Sequence, residues 1–542
     1  MTTVACNPDP RWYADAALHE IPRLLTLLDR DPSSPTYGCF DRNYWHYRTQ
    51  DFPSGMYQEL ALPLAQAAVL DLPGNRWYGR ERIRELALAA IDYAARSAHA
   101  DGSCDDYYPY ERALGATAFV AAAHAEVLRL TGDRKPERLE ALAKRARWLT
   151  SHQETGRLSN HQALVALAAA RTAALTDDDA LRRAVDERLG ICLEWQHDEG
   201  WFHEYEGADA GYQSLTIAFL ANLRDVLPSA AIDQALRRAV RYAAHFAHPD
   251  GSYAGETGSR NTCQVLPSGF EALAVESPEA AFLADHWLRG AIAGKRGYPD
   301  DDRIVCHWLH DVVVAYLRRK NRAPVPAAPF RQETPVVHFR GAGQSVVDQG
   351  ALRLIVGANK GGVFRAYRGA ELLHNDTGIV ILLDDGTRLV SHIVESNPEI
   401  SREGAAMVVR GRFHRAKKKL PTPFTQVAFR LVNATVGRLA PNLLRLLLQK
   451  VLITGKKPSA LRFERRIDWS EPGVLMVSDR LQTENGAPLP AARVFGSTDA
   501  TSIYVATSNL WQDASLEPWS EWPDHALALR RSGSTEIVRR WS

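Results

Sequence analysis

The chain has 542 residues, 45% of them hydrophobic and 24% charged, enough to bury at least one large core. This excludes a disordered, collagenous or low-complexity protein. Lysine and arginine number 65 against 64 aspartates and glutamates, a net charge of +1 that argues against a dedicated nucleic-acid binder. The balance hides a split, because residues 1–320 carry 35 basic and 44 acidic side chains whereas 321–542 carry 30 and 20. Halves of opposite sign predict two domains with different partners.

Cys6, Cys39, Cys104, Cys192, Cys263 and Cys306 all lie in the acidic half, with no CxxC pair. Neither a disulfide framework nor a zinc ribbon is indicated, and a metal site among Cys39, Cys104, Cys263 and Cys306 lacks the paired spacing. The first residues, MTTVACNPDPRWYADAALHE, show no secretory signal, and the longest apolar stretch, Leu443 to Ile453, is interrupted by Arg445, Gln449 and Lys450. A cytoplasmic protein is expected.

From Trp12 to about Lys320 the chain reads as Ala/Leu-rich helices, such as ALVALAAARTAAL and SLTIAFLANLRDVL. Between them recur loops rich in glycine and aromatic residues: YGCFDRNYWHYRTQDFPSG, DGSCDDYYPYERALG, TGRLSNH, EGWFHEYEGADAGY, DGSYAGETGSRNTCQVLPSG and GYPDDDRIVCH. Their glycines, Gly38, Gly102, Gly156, Gly200, Gly251 and Gly297, stand 44 to 64 residues apart. That period is one helical hairpin, so six hairpins predict an (α/α)6 toroid at 1–322 with its functional loops on one rim. An irregular helical solenoid is the alternative.

APVPAAPFRQETP at 323–335, with four prolines, reads as a linker. From 336 to 542 the pattern changes to VVHFR, ALRLIVG, GVFRAYRG, GIVILLDDGTRLVSHIV, AAMVVRGRFH, VLMVSDRL and SIYVAT, which predict an antiparallel β-sandwich. Residues 410–466 hold fifteen basic side chains and one acid, Glu464, with a helical insertion expected near 436–457. A basic, Leu-rich helix of this kind is suited to an anionic membrane surface or to a polyanionic glycan.

In the third loop Asn160 and His161 follow Arg157 at the mouth of a helix, where an amide and an imidazole can donate to one carboxylate. An asparagine there is also an ordinary N-cap. The fourth loop carries His203, Glu204, Tyr205, Glu206, Asp209 and Tyr212. Tyr212 stands where loop becomes helix, a place from which a phenol can transfer a proton or simply pack. Trp45, His46, Tyr47, Tyr107, Tyr108, Tyr110 and Trp201 are candidates for stacking on sugar, with His203 and Glu204 beside them, and Arg260 for pairing with a uronate or sulfate.

The Asn-His pair opening a helix, the Gly-Trp, Glu and Tyr leading into a helix some fifty residues later, and the toroid followed by a β-sandwich resemble the heparinase II/III-like polysaccharide lyases and related alginate lyases. The resemblance implies β-elimination on a uronate-containing glycan, as in bacterial exopolysaccharide or glycosaminoglycan-like metabolism, without a cofactor. It implies that Asn160 and His161 neutralise the uronate, that Tyr212 moves protons, and that a sandwich histidine completes the site. His374 is the first candidate, and His338 and His392 are the alternatives. Competing readings are a uronyl C5-epimerase, a toroid glycoside hydrolase using carboxylates such as Asp105, Asp106, Asp209 or Glu256, and a non-catalytic glycan-binding or assembly protein.

Overall fold

The computed structural model describes residues 8–154, 156–295, 305–322, 335–395, 397–416, 420–452, 457–498 and 519–542. Six helices, Ala61–Val69, Leu114–Thr131, Ser159–Thr176, Ala210–Val226, Ser268–Leu273 and Val305–Arg318, form a ring in which each packs on the next and the last on the first. This closure decides for the toroid and against an open solenoid. Ring helices are apolar on nearly every side: all but the last residue of Ala61–Val69 are buried, as is most of Ser159–Thr176. The helices packed around them present charge outward; Ala230–Ala244, for example, buries Ile232, Ala235, Leu236, Ala239, Val240 and Ala243 as one stripe.

The periodic glycines have one conformational cause. Gly38, Gly102, Gly156, Gly200 and Gly251 all take φ between +91° and +97°, a region that disfavours any Cβ. At Gly38 and Gly200 an added Cβ would also collide with a carbonyl of an outer helix, that of Ala89 and of Arg238 respectively. Gly200→Ala is therefore expected to cost about 1–2 kcal/mol from left-handed backbone strain, with the collision adding to it, measurable as a lowered urea midpoint with an unchanged slope. Gly297, of the sixth loop, lies outside the described residues.

The toroid's last helix ends at Arg318, and the first sandwich strand is Val336–Phe339. Most of the expected linker, 323–334, and the SIYVAT segment lie outside the described residues. One sheet runs in sequence order through Val336–Phe339, Gln344–Gln349, Leu352–Gly357, Val363–Arg368 and Glu371–Asp376. Among the described residues the second sheet has nine strands, with Ala406–Ala416 and Pro458–Asp468 paired at its centre.

The five-stranded sheet is buried on both faces. Val346 and Ile355, paired across neighbouring strands, join the toroid core, whereas Val347 and Leu354 belong to the core between the sheets. This explains the unbroken apolar run LRLIVG. The helical insertion begins earlier than expected, with helix Pro423–Val432 followed by a π turn and helix Pro441–Leu452. Its start is fixed by a capping box between Thr422 and Thr425.

Candidate active site at the toroid rim

The third and fourth loops are joined backbone to backbone. Leu158 bridges Glu204, Tyr205 N–H donates to the Arg157 carbonyl at 2.9 Å, and Ser159 Oγ donates to the His203 carbonyl at 2.9 Å. Asn160 is the second residue of its helix, not its N-cap. Its Nδ2 instead donates to Glu204 Oε2 at 2.7 Å, both side chains being buried. Asn160 Oδ1 and Glu204 Oε1 are left buried without a hydrogen-bond partner. Such orphaned atoms cost about 1–3 kcal/mol each and mark a place built for something else to bind. His161 turns elsewhere: Nδ1 lies 2.5 Å from Glu154 Oε2 and the ring sits against Gly115, in the first turn of the preceding ring helix. Glu204 thus stands with Asn160, within electrostatic reach of His161.

Burial pushes the Glu204 carboxyl up to about 8, against the opposing influence of His161, the Asn160 hydrogen bond and Arg260. Glu204 is therefore a proton-bearing acid at neutral pH. Its folded-state value exceeds the ordinary 4.5, so the stability it contributes is complete below about 4.5 and is lost as pH rises through 8. The wild type should accordingly lose stability relative to Glu204→Gln between pH 5 and 8, by an upper bound of a few kcal/mol. Parallel melting curves across that window check it.

Tyr212 lies in the first turn of helix Ala210–Val226, which packs directly on the helix bearing Asn160. Asp209 caps that turn, accepting from Tyr212 N–H at 3.0 Å, and reaches the fifth loop through Arg260 N–H at 2.8 Å. A Cβ on Gly211 would collide with the Thr262 carbonyl, so glycine is what lets these loops approach. Tyr212 is buried, and Arg260 stacks over the Tyr205 ring at 4.3 Å.

The sandwich reaches this rim through Lys360, whose ammonium donates to the carbonyls of Glu256 (2.9 Å) and Gly258 (2.7 Å) and to Asn261 Oδ1. Burial lowers Lys360 to about 8. His374 does not take part. It sits opposite Ala366, on the face turned towards the second sheet, and stacks on Trp541 at 4.6 Å. Arg365, one residue along the neighbouring strand, faces the toroid and grips Glu256 with two bonds of 2.7 Å. His338 contacts Ser345 Oγ at 2.8 Å on the first strand. His392 has the character sought: its Nδ1 is buried without a partner, and burial followed by the charge of nearby Lys360 lowers it to about 4. In the toroid, His203 is held below its ordinary value by burial, Arg157 and His197.

The stacking candidates divide. Tyr47 and Tyr107 are more than half exposed on the rim. Trp45 donates from Nε1 to the Leu27 carbonyl at 2.8 Å and adjoins His46, and Tyr110 adjoins His99. Trp201 is not a sugar platform: it is buried, stacked on His197 and bonded to Glu199. Tyr108 is covered in part by Phe429 of the insertion.

The carboxylates a hydrolase would need are committed. Arg365 holds Glu256, backbone N–H groups hold Asp209, Ser54 Oγ donates to Asp106 at 2.7 Å, and His99 with two backbone N–H groups holds Asp105. Cys39, Cys104 and Cys263 are buried thiols raised to about 12, 11 and 12 by burial. Cys306 stands in the last ring helix, not in a rim loop, where it adjoins His307 and Glu59. Glu59 is already balanced by His307 and His310, 2.6 and 2.8 Å away, which hold it at about 2 against the effect of burial.

No protein-family model matches the chain, and neither does any curated protein. Its fold is that of toroid-plus-β-sandwich polysaccharide lyases. It aligns with the Streptomyces coelicolor chondroitin AC lyase, solved with chondroitin sulphate, at a TM-score of 0.57 and 10% identity, covering 92% of this chain and 70% of that one. It also aligns with heparinase III at a TM-score of 0.51 and 12% identity, over 92% of this chain and 75% of that one. No helix among the described residues is long and apolar enough to cross a membrane.

Proposed function

We propose that the protein is a heparinase II/III-like polysaccharide lyase that cleaves a uronate-containing acidic glycan by β-elimination on the cytoplasmic side of the cell. The observation that carries this reading is the buried Asn160–Glu204 pair, with one orphaned polar atom on each side chain and a proton on Glu204 at neutral pH. A proton α to a carboxylate is hard to remove until that carboxylate's charge is shared out. An amide N–H and an un-ionised carboxylic acid are suited to this, because both donate and neither repels the anion.

In this scheme Asn160 and Glu204 bind the uronate carboxylate and stabilise the enolate-like intermediate. Tyr212, one helix away at the same rim, moves the proton, with a histidine held neutral by its surroundings as base. His203 and His392 meet that description; His374 is held neutral by burial as well but faces the second sheet. The bond to the 4-linked sugar then breaks and leaves an unsaturated uronyl end. Arg260 and exposed Tyr47 and Tyr107 would hold neighbouring sugars.

A C5-epimerase would use the same proton abstraction and return the proton to the opposite face. Incubation with uronate polysaccharides in heavy water separates the two. The lyase generates ultraviolet-absorbing unsaturated ends, whereas an epimerase generates solvent deuterium at C5 and no absorbance.

A further inference from the structure

The insertion between strands Ala406–Ala416 and Pro458–Asp468 has one face that the fold uses and one that it does not. On the used face, Arg430 pairs with Asp51 at 3.0 Å and lies over Phe52, and Phe429 packs edge-on against Tyr108. The helical pair is therefore seated on the first two rim loops. Its own helices meet where Leu444 packs on Gly437. On the other face, Phe424, Val427, Leu431, Leu439, Leu443 and Leu447 are between 52% and 85% exposed. Phe424, Val427 and Leu431 follow the three- and four-residue spacing of a single helical stripe.

The sequence around this stripe is rich in cations, although Arg410, Arg412, Arg430 and Arg462 pair with Glu464, Glu484, Asp51 and Glu484. Between Glu403 and Glu464 there is no aspartate or glutamate, and there are thirteen lysines and arginines. A second copy of the chain would bring to this stretch another that has cations and no acid of its own. A soluble glycan would satisfy the cations but leave a row of aliphatic side chains in water, since sugars stack on aromatic rings. A bilayer interface containing anionic lipid satisfies both features at once.

We propose that helices Pro423–Val432 and Pro441–Leu452 are an interfacial anchor that lies in an anionic bilayer and holds the toroid rim about one helix diameter, roughly 10 Å, from its surface. The glycan would then be met at the membrane. This inference does not rest on the lyase chemistry, and its test does not use turnover.

The full-length protein is sedimented with vesicles of phosphatidylcholine alone and with vesicles that also contain phosphatidylglycerol. It should pellet with the second and stay in the supernatant with the first. The variant carrying Phe424→Ser, Leu431→Ser and Leu439→Ser should lose at least tenfold in vesicle affinity while keeping its melting temperature. Arg438→Gln with Lys457→Gln, which keeps the apolar stripe, should weaken binding to the anionic vesicles in a second, independent way. Three results would overturn the proposal: protein that stays in the supernatant with both vesicles, a serine variant that pellets like the wild type, or a concentration-dependent dimer by light scattering that the serine substitutions abolish.

Discussion

Tyr212→Phe is expected to lower kcat by about a hundred- to ten-thousand-fold while leaving KM nearly unchanged, because it removes one proton-transfer oxygen and almost no contact area. The residue lies at the start of a ring helix packed against the helix of Asn160, and its turn is fixed by Asp209 and by the close approach of Gly211 to Thr262. The phenylalanine should therefore fold as the tyrosine does. Steady-state kinetics on a uronate polysaccharide check the split between kcat and KM. His374→Ala is the control: its ring stacks on Trp541 and faces the second sheet, so turnover should not change. An inactive His374→Ala beside an active Tyr212→Phe would reverse the assignment.

The second large effect concerns stability. Arg465 and Arg539 form a closed ring with Asp376 and Asp479, through contacts of 2.9, 2.6, 2.7 and 2.7 Å. Arg465, Asp376 and Asp479 are almost fully buried. Although burial opposes it, the two guanidinium groups hold Asp376 well below the usual carboxylate range. Arg465→Met should cost about 3–5 kcal/mol by leaving two buried carboxylates under-compensated. Because the folded-state value of Asp376 is depressed, its contribution is present above the ordinary value near 3.8 and is lost as pH falls below it. Denaturant curves at pH 7 and pH 3 check both points, with a smaller gap between wild type and variant at pH 3. Arg465 also donates to the Gly362 carbonyl at 3.1 Å, within the turn that delivers Lys360 to the rim, so the ring ties sandwich stability to site geometry.

The toroid was legible in the sequence because two independent periodicities agree. The five described glycines recur at one point of their hairpins because the same left-handed turn is needed there, and nearly all-apolar helices alternate with striped ones because the former line the ring. The candidate site was legible only in part. Asn160 and Tyr212 stand out at the starts of helices, but Glu204 reads as one acid among several in its loop. Only its burial against Asn160 shows that it keeps its proton.

The placement of His374 on the side away from the toroid is not legible in the sequence, for a definite cause. In ELLHND two adjacent leucines break the alternation on a half-exposed edge strand, so the pattern gives no sign of which side faces the toroid. The unpartnered Nδ1 of His392 lies against Gly378, a neighbour that only the fold brings there, and leaves no local signal. The start of the insertion was hidden by β-branched residues and Pro423, although the Thr422–Thr425 capping box marks it.

The most direct test of the central claim is the ultraviolet absorbance of unsaturated uronyl ends formed from a panel of uronate polysaccharides by the wild type, Asn160→Ala and Glu204→Gln. The account predicts absorbance that grows with time for the wild type on at least one acidic glycan. It predicts a rate about a hundred- to a thousand-fold lower for Asn160→Ala, as for the loss of one donor to a developing oxyanion. Glu204→Gln, which keeps an un-ionised donor, should retain most of the activity and lose the decline that the wild type shows above about pH 8. Shortened glycan chains without any absorbance, or an Asn160→Ala variant as fast as the wild type, would contradict it.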